Sequence, residues 1–210
     1  MRMITKTPTE REARILLRKP NLIRKCVLAT FAGVLLFVCA SCEDSPPKRS
    51  FSTLDLLMDV SAMPSGWQED VRRRLEEGDD YFTTDDSAWV AFIAEGENTF
   101  LATQQSVYRY PSSSKARSIY EDSVLLEHVG NLPAEWTYQS LIADESDIDC
   151  YDYEGRVEYP ICTWTARYEE YVVIVRSWLI TDRISLCDLE RIAEAVDLKM
   201  ADYLDINVQK

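Results

Sequence analysis

The pattern of apolar and polar residues after position 52 predicts two β-hairpins. Residues 88–94 are almost continuously apolar, and residues 99–110 follow after a short polar turn, as expected for two paired strands. Residues 159–167 alternate between apolar and polar side chains and lead through a Y-E-E-Y turn into the apolar run 171–180. A run without alternation is typical of a strand buried on both faces, so residues 171–180 should be the most buried strand.

Three other segments have helical character. Residues 68–77 are rich in helix-forming residues, and a middle helix is predicted to follow the serines at 112–114 and to end at Gly130. The C-terminal helix has the clearest pattern, because Ser185 and Asp188 have the spacing of a capping box and apolar residues then recur at helical intervals.

The weaker patterns complete the predicted fold. Residues 136–142 are predicted to form a strand, residues 143–150 an acidic loop, and residues 151–153 a short strand. The order of hairpin, helix, further strands and helix indicates a single α+β domain over residues 53–210. Its antiparallel sheet should carry helices packed on one face, including a long C-terminal helix.

The first 42 residues have a different character. Residues 1–25 contain eight Lys or Arg and two Glu, and residues 26–42 form an uncharged run of 17. The apolar part of this run, residues 27–38, has the length of a secretory signal core, whereas a bilayer span needs about 20 residues. Residues 1–41 are therefore interpreted as an export signal.

The end of the run, C-A-S-C at residues 39–42, resembles the lipobox of bacterial lipoproteins. The resemblance implies that Cys42 receives a diacylglycerol and becomes the first residue after cleavage, with residues 42–52 as a flexible tether. Plain cleavage with secretion and an uncleaved N-terminal anchor are the alternatives. All three place the domain on the extracytoplasmic side, and the lipoprotein reading attaches it to the cell membrane through two or three acyl chains.

Charge narrows the choice of partners. The chain has 23 basic and 36 acidic residues; residues 1–41 hold 8 and 2 of these, so the remainder has 15 and 34 and a net charge of −19. Such a charge repels phosphate backbones and anionic headgroups, which disfavours nucleic acid and assigns membrane attachment to the lipid on Cys42. A protein or small molecule is left as a possible partner, although an acidic surface is also explained by solubility alone.

Three cysteines follow Cys42. In an oxidising compartment they predict one disulfide and one remaining thiol, and the favoured pair is Cys150 with Cys162. The chain-entropy model gives such a short closed loop roughly 3 kcal/mol of stabilisation. Cys187 is interpreted as buried apolar filler, with an alternative disulfide and a reactive thiol as competing roles.

No catalytic, metal or cofactor motif is recognised. The chain has one histidine, His128, which is interpreted as a C-terminal capping residue of the middle helix rather than as a general base. No C-x-x-C pair, G-x-S-x-G or G-x-G motif is present, and the acidic segment at 144–152 does not match a calcium loop. We therefore predict no metal, no cofactor and no catalytic residue.

Two classes of function fit these observations. The order of elements, together with M-P-S-G-W at residues 63–67 and the cysteine spacing, resembles small extracytoplasmic sensor or ligand-binding domains. This resemblance implies a non-catalytic domain that binds a ligand or protein. The alternative is a cell-envelope hydrolase that uses carboxylates between Asp79 and Asp86, a segment with two pairs of adjacent aspartates.

The intact mass of protein extracted from membranes tests the lipoprotein prediction. We expect a chain that begins at Cys42 and carries the added mass of lipid, because the lipobox resemblance implies both cleavage and acylation. Cys42→Ala should abolish processing and acyl labelling together. A chain that retains Met1 would contradict the prediction.

Overall fold

The computed structural model describes residues 48–206 except 80, 85, 97–101, 128–135, 152–159 and 180–182. Two short 3-10 helices, Thr53–Leu56 and Val60–Ala62, precede the sheet. The described strands and α-helices are, in chain order, β1 (Trp67–Arg74), β2 (Asp86–Ala94), β3 (Ala102–Arg109), α1 (Ser113–Glu127), β4 (Glu145–Tyr151), β5 (Ile161–Tyr168), β6 (Tyr171–Trp178) and α2 (Leu186–Leu204). Among these described helices, none is long and apolar enough to cross a membrane.

The strands form one antiparallel sheet in the order β1-β2-β3-β6-β5-β4. The two predicted hairpins, β2 with β3 and β5 with β6, are joined through the pairing of β3 with β6 at the centre. The prediction that the last strand is the most buried one is wrong: Tyr171–Val175 of β6 are all buried, but β5 is buried at all eight of its positions and β6 at six of eight. The edges of the sheet are β1 and β4.

The two faces of the sheet have different partners. Val173 and Val175 of β6 belong to the main core, which includes the apolar side of α2 and the first 3-10 helix. Val172 and Ile174, which alternate with them, belong to a smaller cluster with Ala116 of α1. Successive residues of a strand point to opposite faces, so α1 and α2 lie on opposite sides of the sheet.

The predicted α+β class, with an antiparallel sheet and a long C-terminal helix, is confirmed. The positions of the helices differ from the expectation of one shared face. The reason lies in β6, whose run V-V-I-V places apolar side chains on both faces of the sheet. Each face therefore has to be packed against other elements to keep these side chains out of water.

The helix predicted over residues 68–77 is wrong, because this segment forms β1. Trp67 is buried opposite Ala94, and the strand continues along β2 as far as Arg74. Its charged residues are tolerated because β1 is an edge strand with exposed positions. Pairing with β2 therefore overrides a helical composition that had only two apolar anchors.

The predictions around β4 are also wrong. Residues 136–142 form no strand, whereas the expected acidic loop is β4, with Ile148 buried and Cys150 opposite Cys162. Trp136 and Tyr138 pack against the main core without joining the sheet. The acidic residues of β4 alternate with the side chains that face this core and lie on the other face of the sheet, where Asp149 is buried.

Several predicted features lie outside the described residues. These are the segment 1–47 with Cys42, the start of the strand predicted from residue 99, His128 and Gly130, and most of the short strand predicted at 151–153.

The capping box of α2 is present. The Ser185 hydroxyl accepts a hydrogen bond from the Asp188 backbone at 3.2 Å, and the Ser185 backbone donates to the Asp188 carboxylate at 2.8 Å. Burial raises the pKa of Asp188, but the hydrogen bonds from Ser185 and Arg191 lower it overall. Because the folded pKa lies below the unfolded value, this stabilisation is present at neutral pH and is lost as the pH falls through the folded pKa.

Replacing the cap tests this local contribution. Ser185→Ala should lower the free energy of unfolding by about 1 kcal/mol, because an amide at the start of α2 loses its acceptor. Chemical unfolding followed by tryptophan fluorescence measures the change. Ser118→Ala, at an exposed position inside α1, is the control and should change stability by less than about 0.5 kcal/mol; equal effects of the two substitutions would contradict the assignment.

Candidate functional site

A cavity of about 800 Å³ lies where β2 begins, β3 ends and α1 starts. We call it the basic cavity, because its lining contains four cationic side chains and one carboxylate. The lining residues are Lys48, Arg49, Tyr81, Phe82, Thr83, Thr84, Asp86, Arg109, Tyr110, Pro111, Lys115 and Ile119. Apolar and aromatic side chains therefore stand beside a local excess of positive charge.

Both arginines of the basic cavity are positioned by one buried carboxylate. Glu170, in the turn between β5 and β6, has only 2% of its side chain exposed. Arg49 donates to its two oxygens at 3.2 and 3.3 Å, and Arg109 donates to one of them at 3.2 Å. Burial lowers the pKa of Arg49, but the hydrogen bond to Glu170 and its charge raise that pKa overall. Two guanidinium groups are thus held at fixed positions in the lining of the cavity.

Further contacts to the arginines come from the residues on either side of Glu170 in the β5–β6 turn. Arg49 also pairs with Glu169, which adopts a φ of 50°, in the left-handed region that side chains other than glycine rarely occupy. Arg109 lies over the ring of Tyr171, with 5.6 Å between the guanidinium carbon and the ring centroid. Burial raises the pKa of Tyr171 to about 12, so its phenol is neutral at physiological pH.

The two lysines provide charge that Glu170 does not compensate. Lys48 precedes Arg49 directly, and Lys115 stands in the first turn of α1, where its backbone N–H donates to the Ser112 hydroxyl at 3.2 Å. Both lysines are exposed, and within the part of the chain that the structure describes neither forms a salt bridge. Their ammonium groups are therefore available to an anion that enters the cavity.

Tyr81 and Phe82 separate the basic cavity from a second one of about 440 Å³, which we call the sheet cavity. The two rings meet edge to face with 5.4 Å between centroids, and Tyr81 is 79% exposed. The Phe82 carbonyl accepts a hydrogen bond from the Tyr110 hydroxyl at 3.0 Å. The sheet cavity lies over the face that carries α1 and is lined by Arg73, Leu75, Asp79, Tyr81, Phe82, Trp89, Gln104, Ser106, Tyr108, Ile174 and Arg176.

The carboxylates required by the hydrolase alternative are divided between the two cavities. Asp79 lines the sheet cavity and accepts hydrogen bonds from Arg73 and from the Glu76 backbone, each at 2.7 Å. These two bonds lower its pKa. Asp86 lines the basic cavity and accepts from the Thr53 hydroxyl at 2.8 Å. Asp80 and Asp85 lie outside the described residues.

The cysteines follow the predicted pairing in part. Cys150 and Cys162 form a disulfide across neighbouring strands, with their Cα atoms 4.1 Å apart. Cys187 is a free, exposed cysteine, so the prediction of a buried filler is wrong. It lies in the first turn of α2 on the side away from the core, which is occupied by Leu189 and Ile192. Cys42 remains a prediction, because it lies in the segment that the structure does not describe.

Sequence reasoning missed the residues of the basic cavity. Lys48 and Arg49 were assigned to the flexible tether, yet Arg49 binds Glu170, and Phe51 stacks near Tyr171 with 6.3 Å between ring centroids. No motif links these residues, since they come from four separate segments. The one available signal was the Y-E-E-Y turn, where a glutamate is followed at once by the apolar run of β6.

The described residues contain no group of His, Cys, Asp and Glu that could hold a metal ion. Comparison with known proteins gives little further information. No family model matches the chain, and no curated protein is similar. One solved structure with a similar fold is the extracellular domain of PknH from Mycobacterium tuberculosis, at 15% identity and a TM-score of 0.44, covering 72% of this chain and 94% of that one. A likeness at this level carries no inference about function.

Substitution of Glu170 tests its role in holding the arginines. Glu170→Gln should reduce the free energy of unfolding by about 3 kcal/mol, because two guanidinium groups lose a buried carboxylate. Glu169→Gln is the matched control: Glu169 is 44% exposed, so its loss should cost less than about 1 kcal/mol. Urea unfolding measures both values. Similar costs for the two variants would show that Glu170 is no more important than a surface ion pair.

Proposed function

We propose that this chain is a non-catalytic, membrane-anchored extracytoplasmic domain that binds an anionic ligand in the basic cavity. The observation that carries the proposal is the convergence of Lys48, Arg49, Arg109 and Lys115 on one cavity. Most of the other charges in the domain are negative, and Glu170 compensates only the two arginines, so the presence of Lys48 and Lys115 at the same cavity requires a specific reason. Binding of a negatively charged group supplies one.

The lining also indicates the shape of the ligand. The negative group belongs beside Lys48 and Lys115, since Glu170 already compensates much of the charge of the two arginines. Phe82, Tyr110 and Ile119 provide an apolar surface for the remainder of the molecule. A ligand with an anionic head and an apolar or aromatic body fits this combination, as is usual for cavities with a few polar groups in an apolar wall.

The proposed location is supported by the cysteines. A disulfide between Cys150 and Cys162 persists in an oxidising compartment and is rare in the cytosol. The lipobox at residues 39–42 supports attachment of lipid to Cys42 and hence to the membrane, with residues 1–41 removed. Together they favour an extracytoplasmic domain held at the membrane surface.

The hydrolase alternative has less support. Acid-base catalysis requires a carboxyl group whose pKa is raised towards neutrality and a second group that faces the same substrate. The pKa of Asp79 is lowered instead, and Asp86 belongs to the other cavity. We therefore favour binding over turnover.

Calorimetric titration of the full-length chain, purified in a neutral detergent, tests the binding proposal with phenyl phosphate as probe. Phenyl phosphate should bind and phenol should not, because the phosphate supplies the charge that the lysines attract. Lys115→Gln should weaken binding by about three- to tenfold, the loss of one partly exposed charged contact of up to about 1.4 kcal/mol. Added salt should weaken binding in the same direction.

Arg117→Gln is the matched control for this titration. Arg117 stands two residues further along α1, pairs with Glu145 at 3.2 Å and does not line the cavity. It should leave the affinity unchanged. Equal binding of phenol and phenyl phosphate would contradict the proposal, whereas release of phosphate that is abolished by Asp79→Asn or Asp86→Asn would establish the hydrolase instead.

A further inference from the structure

We infer that the anion taken by the basic cavity is the phosphate diester of an anionic membrane lipid, drawn from the same membrane that holds the chain. This inference rests on the proposed function, since it names the ligand class and its source. It follows from the covalent distance between Cys42 and the cavity, the chemistry of the lining and the distribution of charge in the domain.

The distance along the chain is short. Six residue steps separate Cys42 from Lys48, the first described residue of the basic cavity. A fully extended chain spans at most about 3.6 Å per residue, so these two residues lie within about 22 Å of each other. Arg49 is bound to Glu170, so the described chain begins at the cavity itself. The lipoprotein reading and the uncleaved-anchor reading both place residue 42 at the membrane surface.

The lining suits a phosphate diester. Its two non-bridging oxygens share one negative charge and accept hydrogen bonds from ammonium and guanidinium groups, which Lys48, Lys115 and Arg109 carry. The apolar wall at Phe82 and Ile119 can contact the glycerol and the start of an acyl chain. Attachment of the domain to the same surface raises the local concentration of headgroups, so a modest intrinsic affinity is sufficient.

The distribution of charge would orient the domain relative to the membrane. A domain with a net charge of −19 after residue 41 is repelled by an anionic bilayer over most of its surface. The basic cavity is a place where the sign reverses, and Lys48, the first described residue, is part of its lining. Headgroup binding would therefore turn the basic cavity towards the membrane and the acidic surface away from it.

Native mass spectrometry tests the lipid source. The full-length chain is reconstituted into vesicles of phosphatidylcholine mixed with phosphatidylglycerol and is then released for measurement. We expect retention of one phosphatidylglycerol in preference to phosphatidylcholine, a several-fold loss of this adduct in Lys115→Gln, and no loss in Arg117→Gln. Equal retention in the two variants would place the lipid outside the cavity and overturn the inference.

A second measurement distinguishes this failure from failure of the proposed function. Binding of inorganic phosphate and of phenyl phosphate is measured on the same full-length protein in neutral detergent. If either binds with the same dependence on Lys115 while phosphatidylglycerol is not retained, the lipid source is overturned and anion binding stands. If neither anion binds and no phosphatidylglycerol is retained, both proposals are overturned.

Discussion

The pairing of β3 with β6 is the contact on which the rest of the structure depends. It joins two local hairpins into one sheet and aligns Arg109 with Tyr171 at the end of both strands. That register brings the guanidinium of Arg109 next to Glu170, the residue that precedes Tyr171, where the two form a hydrogen bond. A shift by one residue would turn the apolar side chains of β6 to the wrong faces. The core and the basic cavity therefore require the same register.

Glu170 holds the two arginines in the lining of the basic cavity once this register is formed. A carboxylate with 2% exposure is costly without partners, and the guanidinium groups of Arg49 and Arg109 supply them. The same contact fixes the start of the described chain, because Arg49 lies within the segment, residues 42–52, that was predicted to be a flexible tether. One buried charge thus links the N-terminal segment, the end of β3 and the β5–β6 turn, and this accounts for a cavity lined by residues that are distant in the sequence.

The sequence allowed prediction of the elements whose apolar pattern is set locally. The hairpins predicted over residues 88–110 and 159–180 and the capped helix after Ser185 are of this kind, since turn residues, alternation and cap spacing are all adjacent in the chain. The edge strands β1 and β4 were mispredicted, because a charged composition does not reveal the ladder partner. In β1 most of the charges stand at exposed positions, whereas the acidic residues of β4 are partly or fully buried. The basic cavity could not be predicted for the same reason: its cations converge only after β3 pairs with β6.

The acidic composition of the domain does not conflict with a cavity for anions, because the two act over different distances. At physiological ionic strength the Debye length is about 8 Å, so an anion inside the cavity responds mainly to the nearby charges, where the four cations outnumber the carboxylates of Asp86, Glu169 and Glu170. A nucleic acid extends far beyond that distance and meets the acidic surface as well, so the charge argument against it holds. A single phosphate group meets only the cavity. Net charge therefore excludes extended polyanions as partners and leaves small anionic headgroups open.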